Sequence, residues 1–299
     1  MDKWVQQETN VTYHVGHTNQ SSTWYYNEIR EKLISAVRKR ISTTERPIAC
    51  LLSGGLDSSL ITSIVSSFMD TKEKKLETYS IGLEGSEDLK YARLVANFLK
   101  TNHHEIIVSE MDFLEAIPEV IKTIESYDTT TVRASVGNYL VAKYIKENSD
   151  AKVIFNGDGS DEVTGGYMYF HKAPDSLSFD NECKRLLKDI CYFDVLRSDR
   201  CISCHGLEAR TPFLDKEFVR NYLSLPYKKR YHVEKKQCEK YLLRDAFGNY
   251  LPTEVLFRTK EAFSDGVNLD MTKQYEINPP QTKEQYYYRS VFEEFYPGR

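Results

Sequence analysis

A chain of 299 residues, 40% hydrophobic and 28% charged with a formal net charge of −4, can bury a sizeable core and has a soluble globular balance. It has no basic excess to draw it to nucleic acid or an anionic membrane. No apolar run approaches the roughly 20 residues of a membrane span. The polar N-terminus has no signal-peptide pattern, and six cysteines in so long a chain read as free thiols in a reducing, cytoplasmic setting.

Residues 1–22 are polar and aperiodic and read as a linker or arm. Trp24 to Ile41 carries helical spacing at Ile29, Leu33, Val37 and Ile41. The apolar run Pro47–Leu52, with Cys50 inside it, predicts a buried strand. It leads into Ser53-Gly54-Gly55-Leu56-Asp57-Ser58-Ser59 and then a helical run with Leu60, Ile61, Ile64, Val65 and Phe68. Two glycines allow a tight turn that exposes N–H groups. Ser53, Ser58 and Ser59 add hydroxyls, and the helix points its positive end at the turn. The spacing describes a cradle for an anion such as pyrophosphate. Without Gly-Lys-Ser/Thr it is not a Walker loop.

Glu77–Leu83 reads as a second strand, followed by a helix capped by Asp88 with Leu89, Ala92, Val95, Ala96 and Leu99 on its face. A third strand is expected at Glu105–Val108, helices at 111–126 and 135–147, and a fourth strand at Val153–Asn156 before the loop Gly157–Glu162. Strands alternating with helices predict an α/β fold with a doubly wound parallel sheet, its ligands at the carboxyl ends of the strands. Beyond about residue 175 helical patterns dominate, at 183–193, 215–223 and 238–250. The expected division is therefore a nucleotide-binding core at 23–175 and a helical C-terminal portion at 176–299. The aromatic tail (Tyr286, Tyr287, Tyr288, Phe292, Phe295, Tyr296) is expected to pack back on its own domain. Cys201-Ile202-Ser203-Cys204-His205 matches a haem-attachment pattern and a Cys-x-x-Cys, but lacks the further ligands of a zinc site, so structural thiols are preferred. His103 and His104 read as structural.

The stretch Ser53–Ser58 resembles the PP-loop of ATP pyrophosphatases. Four later stretches narrow the resemblance: Tyr79–Ser86, Thr130–Ser135, Gly157–Glu162 with Gly165-Gly166-Tyr167, and Gly206–Asp215. Phe257–Gly266 adds a fifth. Together, from about residue 25 to 296, they resemble the synthetase domain of asparagine synthetases, with the adenine nucleotide α-hydrolase-like fold. The resemblance implies ATP-dependent adenylylation of the β-carboxylate of aspartate to β-aspartyl-AMP and pyrophosphate, then attack by ammonia. Leu52, Ser53, Gly54, Gly55, Asp57, Ser58, Ser59, Ile81, Asn156 and Gly157 would bind ATP, and Asp57 and Asp161 would hold Mg²⁺. Lys260 would stabilise charge at phosphorus. Glu162 and Asp194 would take the ammonium of aspartate and Arg133 and Arg197 its α-carboxylate, with Tyr167 nearby. A helical i,i+3 ion pair explains Asp194 and Arg197 nearly as well.

Two departures stand out. Asp158 occupies the position where the family carries a glutamate that helps deprotonate ammonia, so its carboxylate sits back by about one methylene. No glutaminase domain with an N-terminal cysteine precedes the synthetase region. Free ammonia, a separate glutaminase domain or subunit, and a chain cut from a longer one all remain open, as does a homodimer. Rival readings are a β-lactam-synthetase-like ligase and a non-catalytic nucleotide-binding homologue.

Overall fold

The computed structural model describes residues 21–69, 75–234, 237–258, 280 and 282–298. Helix α1 (Ser22–Ile41) begins where Ser21 Oγ accepts the Trp24 N–H. It ends on Arg38, Lys39 and Arg40, cations set against its carbonyl end. Strand β1 (Ile48–Leu51) turns through Ser53–Gly55 into α2 (Leu56–Met69). There follow β2 (Glu77–Gly82), α3 (Glu87–Leu99), β3 (Asn102–Ile107), α4 (Glu110–Ile124), α5 (Thr129–Asn148) and β4 (Val153–Phe155). The remainder holds α6 (Ser160–Thr164), α7 (Ser176–Asp189), α8 (Val195–Ser203), β5 (Glu208–Arg210), α9 (Lys216–Ser224), α10 (Tyr227–Arg230), α11 (Tyr241–Ala246), α12 (Thr253–Leu256) and α13 (Lys283–Phe295).

The sheet is parallel throughout, in the order β3-β2-β1-β4-β5. The chain winds outward from β1 through β2 to β3, then returns to place β4 on the other side of β1. Registers such as Ala49 opposite Ile154 and Leu51 opposite Tyr79 fix the central strands. The loops after β1 and β4 therefore diverge at a topological switch point, the crevice where open α/β sheets bind ligands. Side chains alternate across the sheet. Ile48, Cys50, Val153 and Phe155 pack with α1 and α2, while Ala49 and Ile154 pack with Val141, Ala142 and Ile145 of α5. This two-sided cover is the doubly wound architecture that the sequence predicts.

Several boundaries differ from the sequence expectation. Strand β3 starts at Asn102, so His103 lies within it, its ring nitrogens 2.9 Å from Thr78 Oγ1 and 3.1 Å from Ser80 Oγ. The N-cap of α3 is Ser86, not Asp88, whose carboxylate instead accepts from Arg258 at 2.9 Å. Helix α5 begins at Thr129, six residues before the expected start. Its β-branched threonines hide the helical pattern, and Asp128 caps it by accepting the Thr131 N–H at 2.8 Å. The helix expected at 183–193 spans Ser176–Asp189, and that at 238–250 shrinks to Tyr241–Ala246.

Helix α8 shows in the sequence only through the helical i,i+3 spacing of Asp194 and Arg197, and β5 is not apparent there. Strand β5 has only three residues, and its charged ends, Glu208 and Arg210, pair at 2.9 Å. Residues beyond 175 thus complete the sheet, and Phe213, Phe218, Leu243, Phe247 and Val255 share one core with α1 and α2. In the tail, Tyr288 and Phe292 are buried against α4 and α5, whereas Tyr286 and Tyr287 remain exposed. The six cysteines are free thiols, and Cys201 is buried. Among the described residues no cluster of three or more His, Cys, Asp or Glu side chains could hold a metal ion, and no helix is long and apolar enough to cross a membrane.

Candidate nucleotide and acceptor site

The turn between β1 and α2 is organised by its serines. Ser53 and Ser58 hydroxyls meet at 2.8 Å, and Ser58 Oγ accepts the Ser53 N–H at 3.1 Å. Ser53 Oγ also accepts the Gly55 N–H at 3.4 Å. This closes a small concave loop at the start of α2, where backbone N–H groups and the helix dipole favour an anion. Ser59 is fully buried one residue further on, and its hydroxyl has no hydrogen-bond partner among the described residues. Leu52 continues β1 by donating its N–H to Tyr79 O at 2.8 Å. Ile81 stands at the carboxyl end of the neighbouring strand β2.

The loop after β4 lies against this turn. A Cβ at Gly157 would come within 2.8 Å of Ser58 N and 2.9 Å of Asp57 Cβ, so only glycine permits the approach. Ser160, at the start of α6, donates to Asp57 Oδ1 at 2.7 Å. Lys240 enters between the two loops from the C-terminal part of the chain. Its Nζ lies 2.6 Å from Asp57 Oδ2 and 2.7 Å from Asp161 Oδ1, with only 2% of its side chain exposed. Burial alone would lower the lysine pKa, but the Asp161 and Asp57 charges outweigh it and hold the proton on more firmly than usual. The sequence does not single out Lys240, one lysine among many that sits just before α11. Proximity comes only from the fold.

A second group of charges adjoins the first. Glu162 on α6 is 1% exposed and accepts a hydrogen bond from Tyr167 Oη. Asp194 precedes α8 and pairs with Arg197 at 2.5 Å, as the i,i+3 spacing suggests, and Arg197 also donates to Ala134 O at 3.2 Å. Burial, then the Asp194 charge, raise the Glu162 carboxyl well above the usual carboxylate range. Burial, then Asp158, raise Asp194. Burial opposes the Arg197 charge, yet Asp194 and Asp158 together hold its proton more tightly than usual. Carboxylates crowded out of water and near one another favour a cation between them.

Asp158 accepts from Asn156 Nδ2 at 2.7 Å and from Ser198 Oγ at 2.6 Å. Arg133 is engaged differently from the expectation. Both arms of its guanidinium meet the carboxylate of Glu284 on α13, Nε at 2.8 Å. Tyr288 Oη donates to the same carboxylate at 2.8 Å. Lys260 lies outside the described residues. Its neighbour Arg258 stacks over the Tyr91 ring at 4.1 Å and donates to Gly54 O at 3.5 Å, so that stretch begins beside the β1 loop. The structure therefore gathers Ser53, Ser58, Asp57, Gly157 and Asp161 around Lys240, and Glu162, Tyr167, Asp194, Arg197 and Asp158 beside them.

The chain resembles known proteins over nearly its whole length. The family model described as asparagine synthase matches residues 28–183 and 175–298. Two asparagine synthetases [glutamine-hydrolyzing], from Gallus gallus and Homo sapiens, are 48% and 45% identical to it over 300 residues, 91% of this chain. A third, from Rattus norvegicus, is 46% identical over 302 residues. The chain spans about half the length of these relatives, 53% of each. A solved structure of NMN synthetase from Francisella tularensis aligns over 86% of this chain and all of that one, but at 12% identity and a TM-score of 0.32, too faint a likeness to carry weight. With the family model covering the sheet, the β1 and β4 loops and the C-terminal helices alike, the chain belongs to the asparagine synthase family.

Proposed function

We propose that this chain makes asparagine from aspartate, ATP and ammonia, releasing AMP and pyrophosphate. The observation that carries this reading is the Lys240 ammonium held between Asp57 on the β1 loop and Asp161 on the β4 loop. It places cation and carboxylates beside an anion cradle at the switch point. The pyrophosphate of ATP rests on the N–H groups of the Ser53–Ser58 turn, and Lys240 offsets its charge. The ammonium of aspartate enters between Glu162 and Asp194, and Arg197 faces its α-carboxylate. The β-carboxylate then attacks the α-phosphate, which gives β-aspartyl-AMP. Asp158 accepts a proton from ammonia as nitrogen attacks the acyl carbon and AMP departs.

Asp57 and Asp161 are the carboxylates that would hold Mg²⁺: one oxygen of each converges on the point that the Lys240 ammonium fills, so the ion would take that shared cation position, the small protein share a magnesium ion takes when phosphates complete its shell. Bound there, Mg²⁺ would neutralise charge on the departing pyrophosphate. By resemblance Lys260 contributes at the same place. Ammonia comes from solution or from a glutaminase domain or subunit, as the relatives' names suggest, and the free thiols suit a cytoplasmic setting.

The test is pyrophosphate release from Mg-ATP with aspartate, with and without ammonium, against Lys240→Ala. Aspartate-dependent release that disappears in Lys240→Ala, with asparagine formed only when ammonium is added, is the expected result. ATP binding without aspartate-dependent release would overturn the reading in favour of a non-catalytic homologue.

A further inference from the structure

Asp158 is the shorter carboxylate, and its reach is set by what holds it. Ser198, on α8 and 1% exposed, donates its hydroxyl to Asp158 Oδ2 at 2.6 Å. A serine hydroxyl has one proton and two lone pairs. Here the lone pairs are occupied: Asn138 Nδ2 and Asn156 Nδ2 approach Ser198 Oγ at 3.3 and 3.4 Å. The two amide donors leave the hydroxyl proton one direction, toward Asp158. Asn156 adds its own hydrogen bond to the same Oδ2 at 2.7 Å, and Asn156 Oδ1 accepts the Asp158 N–H at 3.3 Å. Both side-chain donors fall on Oδ2. Among the described residues Oδ1 makes no hydrogen bond, so the network orients one oxygen inward and turns the other outward.

We propose that Ser198 is the positioning residue for Asp158, fixing the aspartate so that Oδ1 receives the proton of the incoming ammonia. The proposal rests on the asparagine-forming reading. Ser198 acts through Asp158, and none of its side-chain contacts reaches Asp57, Asp161 or Lys240. It shares α8 with Arg197, but the hydroxyl plays no part in the Arg197–Asp194 pair.

The experiment measures asparagine formed per pyrophosphate released, at saturating aspartate with ammonium as nitrogen source, in the 299-residue chain and its variants. Ser198→Ala is expected to lower that ratio by about 10-fold, with pyrophosphate release within about 2-fold of wild type, the β-aspartyl-AMP that ammonia does not capture being hydrolysed by water to aspartate and AMP, since a slackened base costs rate only where it works. Ser198→Thr, which keeps the hydroxyl, is expected to restore most of the ratio. In an Asp158→Asn background, Ser198→Ala should add no further loss, because the two act as one unit. An unchanged ratio in Ser198→Ala, or full additivity with Asp158→Asn, overturns the proposal alone. Absence of aspartate-dependent pyrophosphate from wild type overturns the asparagine reading and this proposal with it.

Discussion

Lys240 and Asp57 stand 183 positions apart in the chain and 2.6 Å apart in the structure. The same ammonium touches Asp161, so one side chain from the C-terminal part stitches together the loops that follow the two central strands. Removing it leaves two carboxylates facing each other. We expect Lys240→Met to reduce aspartate-dependent pyrophosphate release by at least about 100-fold, the scale of losing one electrostatic stabiliser of a developing charge. Stability without ligand should fall by about 1–3 kcal/mol, below the full cost of breaking a buried pair because both aspartates keep some contact with water. The melting temperature of the variant should then rise more on adding Mg²⁺ than that of wild type. An equal rise in both would contradict the shared cation position.

Glu162 gives a pH dependence of definite sign. Burial, then Asp194, push its carboxyl up to about 8 in the folded chain. The folded state therefore favours the protonated acid. Stability from this group is fully present below the ordinary carboxylate range and is lost as pH climbs toward 8. On the proposed function, the arriving ammonium of aspartate would reverse the preference by pairing with the ionised form. The KM for aspartate should accordingly fall as pH rises from 6 to about 8, with a proton released on binding. Glu162→Gln should raise KM and flatten that slope; a slope that survives the substitution would assign the titration elsewhere.

Gly166 has no room for a side chain. A Cβ there would lie 2.0 Å from Lys240 Cε and 2.2 Å from Asp161 Oδ1. Gly166→Ala should push Lys240 off its carboxylates and abolish pyrophosphate release, while costing only about 1–3 kcal/mol of stability, as overpacking does. Circular dichroism melts beside the activity assay would separate these effects. Wild-type activity in Gly166→Ala would show that the lysine can relocate without loss.

Arg133 and Glu284 fasten α13 to α5 through a forked pair with little solvent around it, 7% and 20% exposed. Glu284→Ala should destabilise the fold by about 2–4 kcal/mol, since it strands a mostly buried guanidinium. The double variant Arg133→Met/Glu284→Ala should recover part of that loss. If Arg133 serves aspartate directly, Glu284→Ala would instead lower KM for aspartate, and a KM titration distinguishes the two.

The strand ends were legible because the turn chemistry is local. Ser53-Gly54-Gly55 and Gly157–Glu162 declare a tight turn and a cluster of acids within a few residues, right after an apolar run. The i,i+3 pair Asp194–Arg197 is local in the same sense. What stayed hidden depends on distance along the chain. Nothing near Lys240 marks it as the partner of Asp57, and nothing near Arg133 points to Glu284. Strand β5 is three residues of Glu-Ala-Arg, too short and too charged to show an alternation. Asp88 has the composition of a cap but serves Arg258, a choice made by tertiary packing.

The order of the sheet has a consequence for how the chain acquires its site. Strand β1 sits between β2, its near neighbour in sequence, and β4, about a hundred positions away, with Ala49 set opposite Ile154. Local β1–β2 pairing closes early at small entropic cost, whereas the β4 partnership must close a long loop, and Lys240 joins from further still. During refolding, nucleotide affinity should therefore emerge last, after most helical signal has returned. A chain ending shortly after β4 would hold the serine turn but lack the cation that completes it.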